Sequence, residues 1–114
     1  MKQFERLTKY LNVDTDYEQA AELFTDDVYA FAEGCAEYEL CRYMEILEEY
    51  GFCWDYQALL DADVSGLSAR CILAMIMCAV RAQRFCDGML QTFFESGALH
   101  RWLARLQELD EAQR

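Results

Sequence analysis

Apolar residues fall three and four positions apart along most of this chain, the period of a helix that buries one face. Phe4, Leu7, Tyr10 and Leu11 predict a short first helix over about residues 2–11. Thr15 stands three positions before Glu18, a capping-box pattern, and opens a second helix over about 16–33. Its apolar face is Tyr17, Ala20, Ala21, Phe24, Val28 and Phe31, and Gly34 suits a left-handed terminal position. A third helix, about 36–50, aligns Leu40, Tyr43, Met44, Leu47 and Tyr50 before Gly51 stops it. Residues 52–63 are less regular, with one or two helical turns at 56–60 and Cys53-Trp54 packed down as a plug.

The stretch that organises the rest is Cys71 to Val80, which is uncharged and almost wholly apolar. A helix apolar all round is buried or crosses a membrane, and crossing needs about 20 residues. The spacing therefore predicts a buried central helix over about 68–83, capped by Ser65 or Ser68. Asp87 is placed to cap the next helix, about 88–95, with Met89, Leu90, Phe93 and Phe94 apolar and Gly97 at its end. A last helix over about 98–112 carries the stripe Leu99, Trp102, Leu103, Leu106 and Leu109, with Arg101 and Arg105 outside it. The chain has no proline and only five glycines. The expected fold is all-α: a single domain over 1–114, a bundle of five or six helices around the central one.

Composition narrows the class. With 54% hydrophobic and 14% aromatic residues, the 114-residue chain can build a real core, which excludes intrinsic disorder. The opening Met-Lys-Gln-Phe-Glu has an early acid and no apolar run, so no export signal is read and a cytoplasmic location is expected. Six cysteines, Cys35, Cys41, Cys53, Cys71, Cys78 and Cys86, are then expected to be free and packed as small hydrophobes rather than paired.

Charge is divided unevenly. Residues 1–63 hold 16 acids and 4 bases (net −12), whereas residues 64–114 hold 5 acids and 6 bases (net +1), in line with the total of −11. Direct nucleic-acid binding, which needs clustered cations, is disfavoured, and a basic partner protein suits the balance. Glu18, Glu22, Asp26 and Asp27 on the second helix, with Glu45, Glu48 and Glu49 on the third, would form one negative surface if those helices pack as a hairpin.

Arg81, Arg84 and Asp87 recur three apart where the apolar helix ends. Arginine beside such a run is costly unless it is paired. It either locks a corner by capping carbonyls and pairing with Asp87 or an acid of the first half, or presents a guanidinium to an anionic small molecule. No Cys-x-x-Cys or Cys/His pair marks a metal site, and no glycine-rich phosphate loop is present, so neither metal nor cofactor is expected. Cys86, near Arg84, is the best-placed thiol, but it lacks an evident base (the one histidine, His100, reads as a surface residue) and Asp87 opposes a thiolate.

The run Arg-Ala-Gln-Arg-Phe-Cys-Asp-Gly at residues 81–88 is followed by Glu-Ser-Gly and Leu-His-Arg-Trp-Leu-Ala-Arg-Leu-Gln-Glu-Leu. It resembles a family of small bacterial and phage-borne domains of unknown function whose signature reads approximately Arg-Gly-Glu-Arg-Phe-Cys-Asp-Gly. Arg81, Arg84, Phe85, Cys86, Asp87 and Gly88 fit the signature. Ala82 and Gln83 depart from it, and losing the acid at Gln83 removes one partner for an arginine. The likeness is good over about 68–109 and loose in the first half. It implies a helical fold and an important corner, and brings no activity with it.

The leading expectation is a non-enzymatic acidic protein that binds a basic partner, as inhibitors that imitate nucleic acid do. One alternative is a ligand-binding or enzymatic domain that uses Arg81 and Arg84 against an anionic small molecule. The other is a structural subunit or homodimer whose Phe- and Leu-rich stripes exceed what one core can hide. No membrane contact is expected.

Overall fold

A computed structural model describes residues 4–12, 17–52, 56–83 and 88–112. Every regular element among them is helical: α1 (Glu5–Thr8), α2 (Tyr17–Gly34), α3 (Tyr43–Glu49), α4 (Tyr56–Asp61), α5 (Ala69–Ala82), α6 (Met89–Glu95) and α7 (Ala98–Ala112). Short 3₁₀ turns at Lys9–Asn12, Ala36–Tyr38 and Leu40–Arg42 join them. The radius of gyration is 13.0 Å, close to the value of about 13 Å for a compact chain near this length.

The fold is the expected all-helical bundle. Each residue from Cys71 to Val80 is buried, and Ser68 caps this central helix by accepting from the Cys71 N–H at 3.4 Å. Against α5 pack α3, α6, α7 and α2, while α1 bridges α2 and α7. Burial has chemical consequences for the cysteines. It pushes the Cys71 and Cys78 thiols up to about 11, so both stay neutral and unreactive near neutral pH. Cys35, half-buried, is also free, whereas Cys53 and Cys86 lie outside the described residues.

The single helix expected at 36–50 is broken. Glu39 takes a left-handed conformation (φ 51°, ψ 46°), which an L residue with a Cβ adopts at a cost of about 1–2 kcal/mol. Gly34, by contrast, ends α2 as an ordinary helical residue. The break changes which residues face inward. Ile46 and Leu47 are buried beneath α3, while Met44 and Tyr50 stay exposed. Gly51 does stop α3, and for the expected reason. With φ 85° its N–H reaches the Glu48 carbonyl at 3.0 Å, and the Phe52 N–H reaches Leu47 at 2.9 Å, a Schellman closure.

The first element is shorter than residues 2–11 suggest, because helical hydrogen bonding passes into a 3₁₀ turn after Thr8. Phe4 and Leu7 are buried as expected. Two side chains hold this segment down. Asp110 of α7, itself buried, accepts from the Phe4 N–H at 2.9 Å. Asp27 of α2 accepts from the Tyr10 hydroxyl at 2.5 Å and pairs with Lys9 at 3.1 Å and Arg6 at 4.0 Å.

That second clasp predicts a pH dependence. Burial raises the Asp27 carboxyl, but hydrogen bonds from Tyr10 and Lys9 outweigh it and hold the group below its ordinary value. Burial, with the Asp27 hydrogen bond and charge, pushes the Tyr10 phenol up. The carboxylate therefore contributes stability that is present above its unfolded value of about 4 and is lost as pH falls through the lower folded one. The phenol contributes stability that is present below about pH 10 and is lost as pH rises further. Tyr10→Phe is expected to cost about 1–2 kcal/mol at pH 7. It should also move acid unfolding to higher pH and flatten the decline above pH 10. Thermal melts across the pH range check this, and a profile parallel to the wild type from acid to alkali would refute it.

Candidate functional site

The chain that follows the buried core of α5 ends it with a cation. Arg81 emerges half-buried, and its guanidinium lies over the Tyr43 ring, 5.8 Å from the centroid. No described carboxylate comes within ion-pair distance of it. Arg84 and Asp87, the other members of the expected corner, lie outside the described residues.

Arg81 borders a cleft of about 360 Å³. Its floor and walls come from Met77 and Arg81 of α5, from Tyr29, Ala32 and Glu33 of α2, and from Glu39 and Leu40 at the break before α3. The left-handed Glu39 turns its carboxylate onto the Arg42 guanidinium at 2.9 Å, which also bonds Glu45. The cleft thus combines an apolar floor, one half-buried cation and two carboxylates, drawn from segments nearly fifty residues apart in the chain. Burial raises the Tyr43 phenol, with Arg81 pulling against that rise.

Gln83, next to the cleft, is a helix cap. Its side-chain oxygen accepts from the N–H groups of Gly88 and Leu90, both at 3.1 Å, and so satisfies the start of α6. Gly88 itself takes φ 87°, which glycine permits without strain. The sequence assigns that cap to Asp87, which lies outside the described residues, and treats Gln83 as a lost partner for arginine. An amide oxygen six residues before the helix start is not a cap that local spacing announces.

The carboxylates assigned to one negative surface separate into groups. Glu22 and Asp26 stand exposed on α2, and Glu18 lies one turn earlier in the same helix. Asp27 does not join them. Three residues after Phe24 and four before Phe31, it stands on the shoulder of the buried stripe and serves as the internal clasp for Lys9 and Tyr10. On α3, Glu48 is exposed, Glu45 bonds Arg42 at 2.6 Å and Glu49 pairs with Arg70 at 3.5 Å. A hairpin of α2 and α3, the condition for one continuous surface, is not among the main packings of the described residues. α3 lays Ile46 and Leu47 against α5, and α2 packs on α1, α5 and α6. Between Glu22 and Asp26 the exposed face carries one apolar side chain, Leu23, with 62% of its surface accessible.

Arg101 and Arg105 are more than outer-face charges. Arg101 donates to the Leu60 carbonyl at the end of α4, and Arg105 donates to Leu67 at 3.3 Å, so both tie α7 to the segment before α5. Among the described residues no cluster of His, Cys, Asp and Glu is arranged to hold a metal ion, and no helix is long and apolar enough to cross a membrane.

These features define an all-helical domain with an apolar central helix, a mixed-charge cleft at its end and an acid-rich second helix. A family of unknown function, DUF6508, matches residues 53–112, and the chain belongs to it. The match takes in α4 to α7, the Gln83 cap and the Arg81 side of the cleft. No curated protein and no solved structure matches the chain.

Proposed function

We propose that this protein is a non-enzymatic interaction module that acts in the cytoplasm and binds a basic partner protein through the exposed face of α2. The observation that carries this reading is Leu23, 62% exposed and flanked by the exposed Glu22 and Asp26. Protein interfaces draw their energy from a few apolar anchors, while rim charges steer encounter and set the partner's sign. A partner that normally grips nucleic acid fits best, with the carboxylates standing where phosphates would. The unequal division of charge supports this, because the −12 resides in the half that contains α2.

The test is affinity capture from the native host at rising salt, repeated with Glu18, Glu22 and Asp26 reversed to lysine. The wild type should retain a basic protein that leaves as salt screens the contact, over a Debye length of about 8 Å at physiological ionic strength. The triple variant should lose at least about tenfold in affinity for that protein, and Leu23→Ser a similar factor at unchanged salt dependence. Undiminished binding by the triple variant would end this reading. A mass that doubles with concentration, with no partner captured, would instead favour the homodimer.

A further inference from the structure

We propose that the cleft between α2, Glu39–Leu40 and the end of α5 binds a small zwitterion with an apolar side chain, of the free amino-acid type. Its volume of about 360 Å³ lies at the small end of ligand pockets, which span about 300–1,000 Å³. Charge then selects the occupant. Arg81 is half-buried at the end of a helix whose preceding ten residues are buried, and it meets no carboxylate among the described residues. A guanidinium so placed gains from an anion that can accept two parallel N–H bonds, and a carboxylate does this. The stacking on Tyr43 restricts the group in advance, so less freedom is lost on binding.

A plain anion does not fit the rest of the cleft, because Glu33 and Glu39 line it too. A plain cation meets Arg81. Glu39 is held by Arg42, a guanidinium it shares with Glu45, whereas the exposed Glu33, unpaired among the described residues, is open to receive an ammonium group. Ala32, Leu40 and Met77 supply the surface for an apolar side chain. A ligand with both charges and a short apolar arm satisfies all of these groups together. The cleft lies at the later end of α2, with Glu33 two turns beyond Asp26 on the same side of the helix, and leucine binding there does not depend on the partner proposed for that face.

The probe is L-leucine, titrated into the ¹⁵N-labelled full chain with amide shifts as the readout. It is compared with 4-methylpentanoate, which lacks the amine, and 3-methylbutylamine, which lacks the carboxylate. Leucine should give saturable shifts confined to the second half of α2, residues 39–40 and the end of α5. Each analogue should bind at least about tenfold more weakly. Arg81→Met should abolish the advantage of leucine over the amine, and Glu33→Gln its advantage over the acid, with Arg81→Lys as a check that the fold persists. Three results would overturn the proposal: no saturable shift from leucine, methionine or phenylalanine; 4-methylpentanoate equal to leucine, which would mark a plain anion site; or shifts that survive both substitutions.

Discussion

Replacing Trp102 with alanine is expected to lower stability by about 3–5 kcal/mol, the largest loss of any single substitution considered. Trp102 has no accessible surface, and its ring lies 5.2 Å from that of Phe93, tilted by 46°. It is a wholly buried residue of α7, a helix that packs on both α5 and α6, so truncation opens a cavity that the rigid surroundings only partly refill. A domain of this size has about 5–15 kcal/mol in total, so the variant should sit near its unfolding threshold at 37 °C. Trp102→Phe should behave differently. It keeps an aromatic ring against Phe93 and removes an indole N–H that is buried with no acceptor among the described residues. An unsatisfied donor costs about 1–3 kcal/mol, which offsets part of the lost volume, and the net loss should stay below about 1.5 kcal/mol. Urea unfolding at constant slope measures both. An alanine variant within about 1 kcal/mol of the wild type would mean that α7 is not docked through this residue.

What was legible in the sequence depended on how local its cause is. The central helix was legible because ten adjacent uncharged residues leave no polar face to expose. The stripe of α7 was legible because nothing interrupts its period. The break at Glu39 was not, since a glutamate in the left-handed region carries no signal of its own, and every residue after it shifts phase. The cleft was half legible. A cation closing an apolar helix singled out Arg81, but the opposing carboxylates reach it only through the packing of α2 and the Glu39 turn. Asp27 is hidden by its neighbour. It follows Asp26 in the row of acids, yet its angular position is at the edge of the buried stripe. Arg101 and Arg105 read as outer charges because their acceptors, the carbonyls of Leu60 and Leu67, lie some forty residues away in the chain.

Asp110 stands in the register of the α7 stripe, and its removal gives the second large effect. Leu99, Leu103, Leu106 and Asp110 follow at spacings of four, three and four, so a carboxylate occupies the register of the buried stripe. A charge in that register needs a partner, and it has the N–H of Phe4, the residue before α1. Phe4 is wholly buried, with its ring 5.9 Å from Phe31 and 6.2 Å from Tyr38. Asp110→Ala leaves that N–H buried without its acceptor and is expected to cost about 2–3 kcal/mol, the range for a lost hydrogen bond to a charged group. The loss should not spread evenly. Because α1 is a single turn of four residues with little helical hydrogen bonding of its own, it should open first, so hydrogen exchange should quicken over residues 5–12 before it does in α5. Asp110→Asn retains an acceptor oxygen and should lose about half as much. Unchanged exchange over 5–12 in the alanine variant would show that Phe31 and Tyr38 alone hold the segment. Equal losses in the alanine and asparagine variants would assign the effect to the carboxylate charge rather than to the hydrogen bond.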